Sequence, residues 1–245
     1  MNTCIIVAVD YPVVEQTIQY NRHHFDKICV VTAERDIQTQ FLLNNLNVPF
    51  YATDAFYRNG AFFNKWLALE EGLDYFGRYG WLWIMDADIF LPKQLPINTS
   101  FIPGNLYTPY RRMSDGFITE SMWSEQRYPA NMRDFNGYCH IFHSLDWHLG
   151  EVEQASSRSE VQRVPPTPWY QTDWIHAGGA DTFFQARWED DHKIRPDFEV
   201  LHVGHPAYNW CGVGNHRQLQ RLRSIKDPEY KHEKIQLPTS SSSSS

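Results

Sequence analysis

Along the first ninety positions the apolar residues alternate between two rhythms. "CIIVAV" (4–9), "KICVVTA" (27–33), "VPFYATD" (48–54) and "WLWIM" (81–85) are short apolar or β-branched runs, the pattern of strands. Between them the spacing becomes helical. Pro12 suits the first turn of a helix that Val14 and Ile18 carry loosely toward Phe25, and Asp36 suits the N-cap of a helix over 36–46. The third helix is the clearest, because Phe62, Trp66, Leu69, Leu73 and Phe76 share one apolar face. The run Trp81 to Met85 has no polar alternation, as expected of a strand covered on both faces in a parallel sheet. The pattern predicts an α/β chain with a Rossmann-like βαβαβαβ first half.

The second half is less regular. "LYTPY" (106–110) and "NGYCHIF" (136–142) read as strands, 180–191 as a helix and "FEVLHVGH" (198–205) as a strand. Residues 151–169, rich in Ser, Arg, Pro and Gln, predict a long mobile loop of the kind used as a lid. "TSSSSSS" (239–245) is a low-complexity tail, expected to be disordered, and no internal repeat is present.

Composition narrows the class. With 245 residues, 42% of them hydrophobic and 15% aromatic, the chain is globular with ample core. No apolar run approaches the ~18 residues of a membrane span, and the N-terminus lacks a signal-peptide pattern, so a cytoplasmic location is expected. Cys4, Cys29, Cys139 and Cys211 are scattered without a C-x-x-C pair, which points to free thiols. A net charge of −7 argues against coating nucleic-acid phosphates. "PYRRM" (109–113) is either the seed of a local basic groove or a solvated charge pair in a loop.

Ligands of such sheets bind beyond the carboxyl ends of the strands. Here those ends carry Asp10, Thr32 to Arg35 (with Glu34 and Arg35 the charged pair), Asp54, and the aspartates Asp86 and Asp88. Residues two apart on an extended segment face the same way, so Asp86 and Asp88 can aim at one point. Two unpaired carboxylates that close repel each other unless a cation joins them. A hard divalent ion, Mn²⁺ or Mg²⁺, removes the conflict and keeps phosphate oxygens and water as further ligands. The alternative is a strand-end turn with Asp88 as a cap.

With this D-x-D at the end of the fourth strand, the chain resembles the GT-A class of glycosyltransferases, from "IIVAVD" to "HVGHPAYNW". The resemblance implies a GT-A fold: a Rossmann-like N-terminal half whose mixed central sheet continues into a smaller acceptor-binding half. The corresponding regions are 1–100 for the nucleotide sugar, 101–237 for acceptor binding and metal completion, and 238–245 as tail. It implies that Asp86 contacts the ribose or the metal's water shell and that Asp88 coordinates the metal. Thr32, Glu34, Arg35 and Asp54 then lie toward the nucleoside, with Asp10 beside them. Asn64 and Lys65, opening the third helix, would meet the nucleotide phosphates, as helix N-termini do; a solvated first turn is the alternative. The resemblance also implies a late histidine as third metal ligand. His202 and His205 both qualify; the "VGH" segment, present in some polypeptide N-acetylgalactosaminyltransferases, favours His205. A histidine beside two carboxylates suits Mn²⁺ better than Mg²⁺.

Inverting members of that class carry a carboxylate before this histidine, at the start of a helix, to deprotonate the acceptor. Asp181 in "GGADTFFQARW" matches it, although Ala180 stands where a Glu often precedes; Asp181 as a plain N-cap is the alternative. Gly178 and Gly179 would admit sugar and acceptor closely. Trp210, with Trp123, Tyr138, Trp169, Tyr170 and Trp174, is a candidate for stacking or for plain packing. The expected activity is metal-dependent transfer of a sugar from a nucleoside diphosphate sugar, a UDP-sugar first, to an acceptor hydroxyl, inverting with Asp181 as base. The acceptor, whether carbohydrate, lipid, protein or modified nucleic-acid base, stays open. A non-catalytic sugar- or nucleotide-binding protein on a GT-A fold is one rival. A nucleotidyltransferase is the other, although "VDYPVVEQ" (9–16) lacks a Gly-rich phosphate loop.

Overall fold

The structure, a computed structural model, describes residues 1–96, 99–113, 137–150 and 168–203. The serine tail, most of the expected 151–169 lid, His205, Trp123, Trp210 and Cys211 lie outside the described residues.

The first half alternates as its pattern predicts. Strands β1 (Asn2–Val7), β2 (Lys27–Ala33), β3 (Phe50–Thr53) and β4 (Trp81–Asp86) are joined by helices α1 (Val13–Asn21), α2 (Ile37–Asn45) and α3 (Lys65–Phe76). Asp36 caps α2, its Oδ1 accepting the Thr39 N–H at 3.0 Å. Two expected boundaries move. Helix α1 stops at Asn21 and a single 3-10 turn carries the chain over 22–24. Helix α3 begins at Lys65, not near Phe62, because Asn64 is its cap: Asn64 Oδ1 accepts the Leu67 N–H at 3.0 Å.

A mixed α/β fold with a central mixed sheet results. Its strand order is β3-β2-β1-β4-β8-β6-β9, with β6 (Leu106–Tyr107), β8 (Cys139–His143) and β9 (Lys193–Ile194) from the second half. Strands β1 to β4 are mutually parallel; β8 runs antiparallel to both β4 and β6. Strand β4 is thus central, and its partners on the two sides run in opposite senses.

Neighbouring residues on the central strands feed opposite faces, both of them apolar. Ile5, Val31 and Ile84 pack under α3 and the short α4 (Ala180–Gln185), with Trp66, Leu69, Tyr170 and Phe184. Ile6, Val30 and Met85 pack under α1 and α2 with Ile18 and Leu43. Burial on both faces is why the strand sequences read as continuous apolar runs. Helix α4 is shorter than the expected 180–191, which ends instead in a 3-10 turn over 190–192.

A second sheet of three short strands, β5 (Ile89–Phe90), β10 (Glu199–His202) and β7 (Tyr110–Met113), forms beyond the end of β4. Strand β10 lies between, antiparallel to β5 and parallel to β7. "PYRRM" is therefore largely strand, not loop. Among the described residues no helix is long and apolar enough to cross a membrane.

Candidate functional site

The strand order β3-β2-β1-β4 reverses direction between β1 and β4, and such a reversal opens a crevice at the carboxyl ends of those strands. Asp86 ends β4 there, in register with Val7 of β1. Asp88 is not on the strand but in the turn leading into β5. His202 arrives from the end of β10, paired with Ile89. Ligand atoms of Asp86, Asp88 and His202 all lie within 4.8 Å of one another.

The backbone carrying Asp88 is pinned by helix α1. Thr17 Oγ1 donates to the Ala87 carbonyl at 2.6 Å. One turn on, the buried Asn21 amide donates to Ile89 O at 2.7 Å and accepts from the Leu91 N–H at 2.9 Å. Residues i and i+4 share a helix face, so one face of α1 grips the whole turn. The Val203 N–H closes it from the other side, on Asp88 O at 2.9 Å.

Each carboxylate also has a partner of its own, unlike the unpaired couple the sequence predicts. Lys65 Nζ is ion-paired with Asp86 Oδ1 and reaches Gly137 O at 3.4 Å. Its ammonium lies over the Trp66 ring, 4.7 Å from the centroid. A lysine buried to this degree is tolerable only with such a counter-charge. Asp88 Oδ2 accepts the Tyr11 hydroxyl at 2.9 Å, while Oδ1 faces His202 Nε2 at 3.2 Å. Burial and then the Asp88 charge push the Tyr11 phenol well above its usual range, so it stays a donor. On the far side of the imidazole, Arg111 Nη1 stands 3.4 Å from Nδ1. A guanidinium only donates, so in this arrangement Nδ1 accepts and Nε2 carries the ring proton toward Asp88. A metal taken at Nε2 would move that proton to Nδ1 and end the Arg111 contact.

The expected base lies along the same chain of contacts. Asp181 is in the first turn of α4, whose cap is Gly179 and not Asp181. Its Oδ2 accepts the Gly137 N–H at 2.9 Å and its Oδ1 the Thr182 N–H at 3.0 Å. Gly137 thus touches Lys65 with its carbonyl and Asp181 with its amide. A Cβ there would meet the Trp66 ring at 2.6 Å and the Asp181 Cβ at 2.9 Å, so only glycine admits this approach. At Gly179 (φ +100°) the missing Cβ leaves room for the Trp174 ring, 2.6 Å from where it would stand.

The other expected site residues are placed as follows. Asp10 follows β1 with a left-handed φ of +51°, uncommon outside glycine, and its N–H donates to Asp36 Oδ2 at 2.6 Å. Partial desolvation and then the Asp36 carboxylate push the Asp10 carboxyl up. Thr32 is fully buried and its hydroxyl is spent on Asp36 at 3.2 Å. Glu34 is exposed, and Arg35 lies over the Tyr57 ring at 3.6 Å. Exposed Asp54 is ion-paired with Arg58, which also holds Glu71. Asn64 is occupied as a cap and by Thr172 O at 2.8 Å. Tyr138, Trp169, Tyr170 and Trp174 are buried, and Tyr170 is stacked between Trp66 (4.7 Å) and Phe184 (4.0 Å), so these rings are packing. Sequence reasoning missed Tyr11, Thr17, Asn21, Arg111 as a neighbour of His202, and Gly137. Only the i, i+4 polar pair Thr17 and Asn21 on the inward face of α1 left a trace of its role.

No protein-family model and no curated protein matches the sequence. Solved structures do. The chain is similar to galactosyltransferases. One is a mutant of Drosophila β1,4-galactosyltransferase 7 in complex with manganese, UDP-galactose and xylobiose, 12% identical, with 92% of this chain and 81% of that one covered at a TM-score of 0.45. Another is galactosyltransferase LgtC in complex with donor and acceptor sugar analogues, 13% identical, with 59% of each chain covered at a TM-score of 0.37. The Asp86–Asp88 cluster is consistent with a D-x-D motif.

Proposed function

We propose that the chain is a metal-dependent glycosyltransferase that moves a sugar from a nucleoside diphosphate sugar, a UDP-sugar first, to an acceptor hydroxyl. The observation that carries this reading is the convergence of Asp86, Asp88 and His202 at the strand-order reversal. Three donors from two distant segments meeting within 4.8 Å is more than strand-end capping needs.

The residues fit a divalent ion. Adjacent ligands at ~2.1 Å around an octahedral ion stand about 3 Å apart, and the 3.2 Å between His202 Nε2 and Asp88 Oδ1 suits one edge of such a shell. Two oxygens and one imidazole favour Mn²⁺ over Mg²⁺. When bound, the ion supplies Lewis-acid stabilisation of the departing diphosphate. Lys65 and Tyr11 orient the two carboxylates, and the Thr17–Asn21 grip fixes the turn between them. Asp181 accepts the acceptor's proton; each of its oxygens keeps a lone pair beyond its backbone hydrogen bond. A base of this kind gives inversion at the anomeric carbon.

One observation favours a second reading. Lys65 and Tyr11 already compensate the carboxylates, so the cluster can persist as a metal-free site in a non-catalytic sugar- or nucleotide-binding protein. A panel of nucleotide sugars offered with and without Mn²⁺, with binding followed by calorimetry and turnover by mass spectrometry, separates the two. Mn²⁺-dependent binding with donor consumption supports the transferase. Metal-independent binding without turnover supports the rival, and no binding at all refutes both.

A further inference from the structure

The cations around the cluster differ in how fully the protein uses them. Lys65 is neutralised by Asp86 and committed to Gly137 O. Arg112, the neighbour of Arg111 on β7, turns to the other face of the strand and is ion-paired with Glu199. Arg195 donates to the carbonyls of Thr108 and Pro109. Arg111 differs. Its contacts are His202 Nδ1 at 3.4 Å and the face of Tyr138, 4.8 Å from the ring centroid. Among the described residues it is in no ion pair, and none of its nitrogens is a buried orphan. The pairing of β7 with β10, Arg111 opposite Val200 and Met113 opposite His202, carries this half-buried guanidinium to the rim of the candidate metal site.

A guanidinium has five donors in a planar fork, and one imidazole nitrogen engages a single donor. A positive charge held over an aromatic face beside a metal site, with donors to spare, is suited to a phosphate, which takes such a fork two oxygens at a time. The charges agree. With a divalent ion present, the ion, both aspartates, Lys65 and Arg111 together would carry a net two positive charges. That is the complement of a doubly ionised diphosphate diester.

We propose that Arg111, not Lys65, is the side chain that receives the diphosphate of the bound nucleotide, docking it on the His202 side of the carboxylate cluster. The inference rests on the metal-dependent nucleotide site proposed above and adds to it a residue and a direction. Arg111 makes no contact with Asp86 or Asp88, and a metal taken at His202 Nε2 would put the ring proton on Nδ1 and end the contact with Arg111, so its loss leaves the three ligands in place.

The test uses the full chain, Arg111→Gln and Arg111→Lys, with two readouts. Mn²⁺ alone is titrated by electron paramagnetic resonance, and a panel of UDP, GDP, ADP, CDP and dTDP is titrated calorimetrically in the presence of Mn²⁺. Loss of one charge-assisted contact predicts that Arg111→Gln binds the preferred diphosphate about tenfold to hundredfold more weakly, while Mn²⁺ alone binds as in the wild type. Arg111→Lys, which keeps the charge but not the fork, falls between. Wild-type diphosphate affinity in Arg111→Gln overturns the inference and leaves the metal site standing. Loss of Mn²⁺ binding together with the nucleotide also overturns it, making Arg111 a support for His202. Failure of the wild type to bind Mn²⁺ or any of the diphosphates refutes the underlying reading, and the inference with it.

Discussion

Asp88 is held by a phenol, an imidazole and one backbone hydrogen bond, and its shape matters to the fold while its charge matters to the proposed ion. Asp88→Asn keeps the shape and still accepts the Tyr11 hydroxyl. It is expected to lower Mn²⁺ affinity by more than the ~10–100-fold lost with outer-shell partners, with a melting temperature close to wild type; undiminished Mn²⁺ titration would refute the metal site. Asp181→Asn separates chemistry from binding. As a general base Asp181 contributes about 10²–10⁴-fold, so transfer should slow by that order while donor affinity is unchanged. Near-normal turnover, or a product with retained configuration, leaves Asp181 as a support for Gly137. His176 gives a pH-dependent prediction. Burial lowers its pKa in the fold, so below ~6.5 the unfolded chain takes up a proton that the folded chain refuses. Stability therefore falls as pH drops from about 6.5 toward the lowered value, and His24 acts in the same sense. His176→Gln should flatten part of that decline in urea midpoints taken across acidic to neutral pH; a slope identical to wild type counts against it.

Helix α1 works as a clamp more than as a cover. Asn21 is fully buried, and Asn21→Ala leaves the Ile89 carbonyl and the Leu91 N–H without a partner, at about 1–3 kcal/mol each. Urea unfolding should show that loss, and Mn²⁺ affinity should fall with it because the Asp88 turn loosens. A variant within ~0.5 kcal/mol of wild type, an ordinary surface effect, would mean the turn holds itself. This clamp shows what the sequence did and did not make legible. Continuous apolar runs announced β1, β2 and β4, because burial on both faces leaves no polar alternation to confuse. Asp36 and the D-x-D were legible for the same reason: a polar residue at the end of such a run has a local cause. The polar groups inside α1 left only their i, i+4 spacing as a trace, since their partners lie about seventy residues away. Phe62 fitted the helical period by chance, and the capping geometry of Asn64 overruled it. Strands of two residues, such as β5, carry no period at all; their pairing is decided by the strand that arrives later.

At the scale of the molecule, the central sheet and the three-stranded sheet divide the work. The first is built largely from nearest-neighbour βα units and supplies Asp86, Lys65 and the crevice; the second brings His202 and Arg111 to it. That division has a kinetic consequence. Tyr11 meets Asp88 across 77 residues of chain, Arg111 meets His202 across 91, and Tyr11 reaches Val203 across 192. Contacts of such separation reward the chain only after large loops have closed, which makes them late and slow to form. On refolding from urea, far-UV circular dichroism should recover ahead of Mn²⁺-binding competence followed by rapid mixing; simultaneous recovery of both signals would contradict this order. Binding would then act as a certificate of completion. A chain still emerging from synthesis already owns both aspartates, yet the proposed site stays incomplete until β10 has come home.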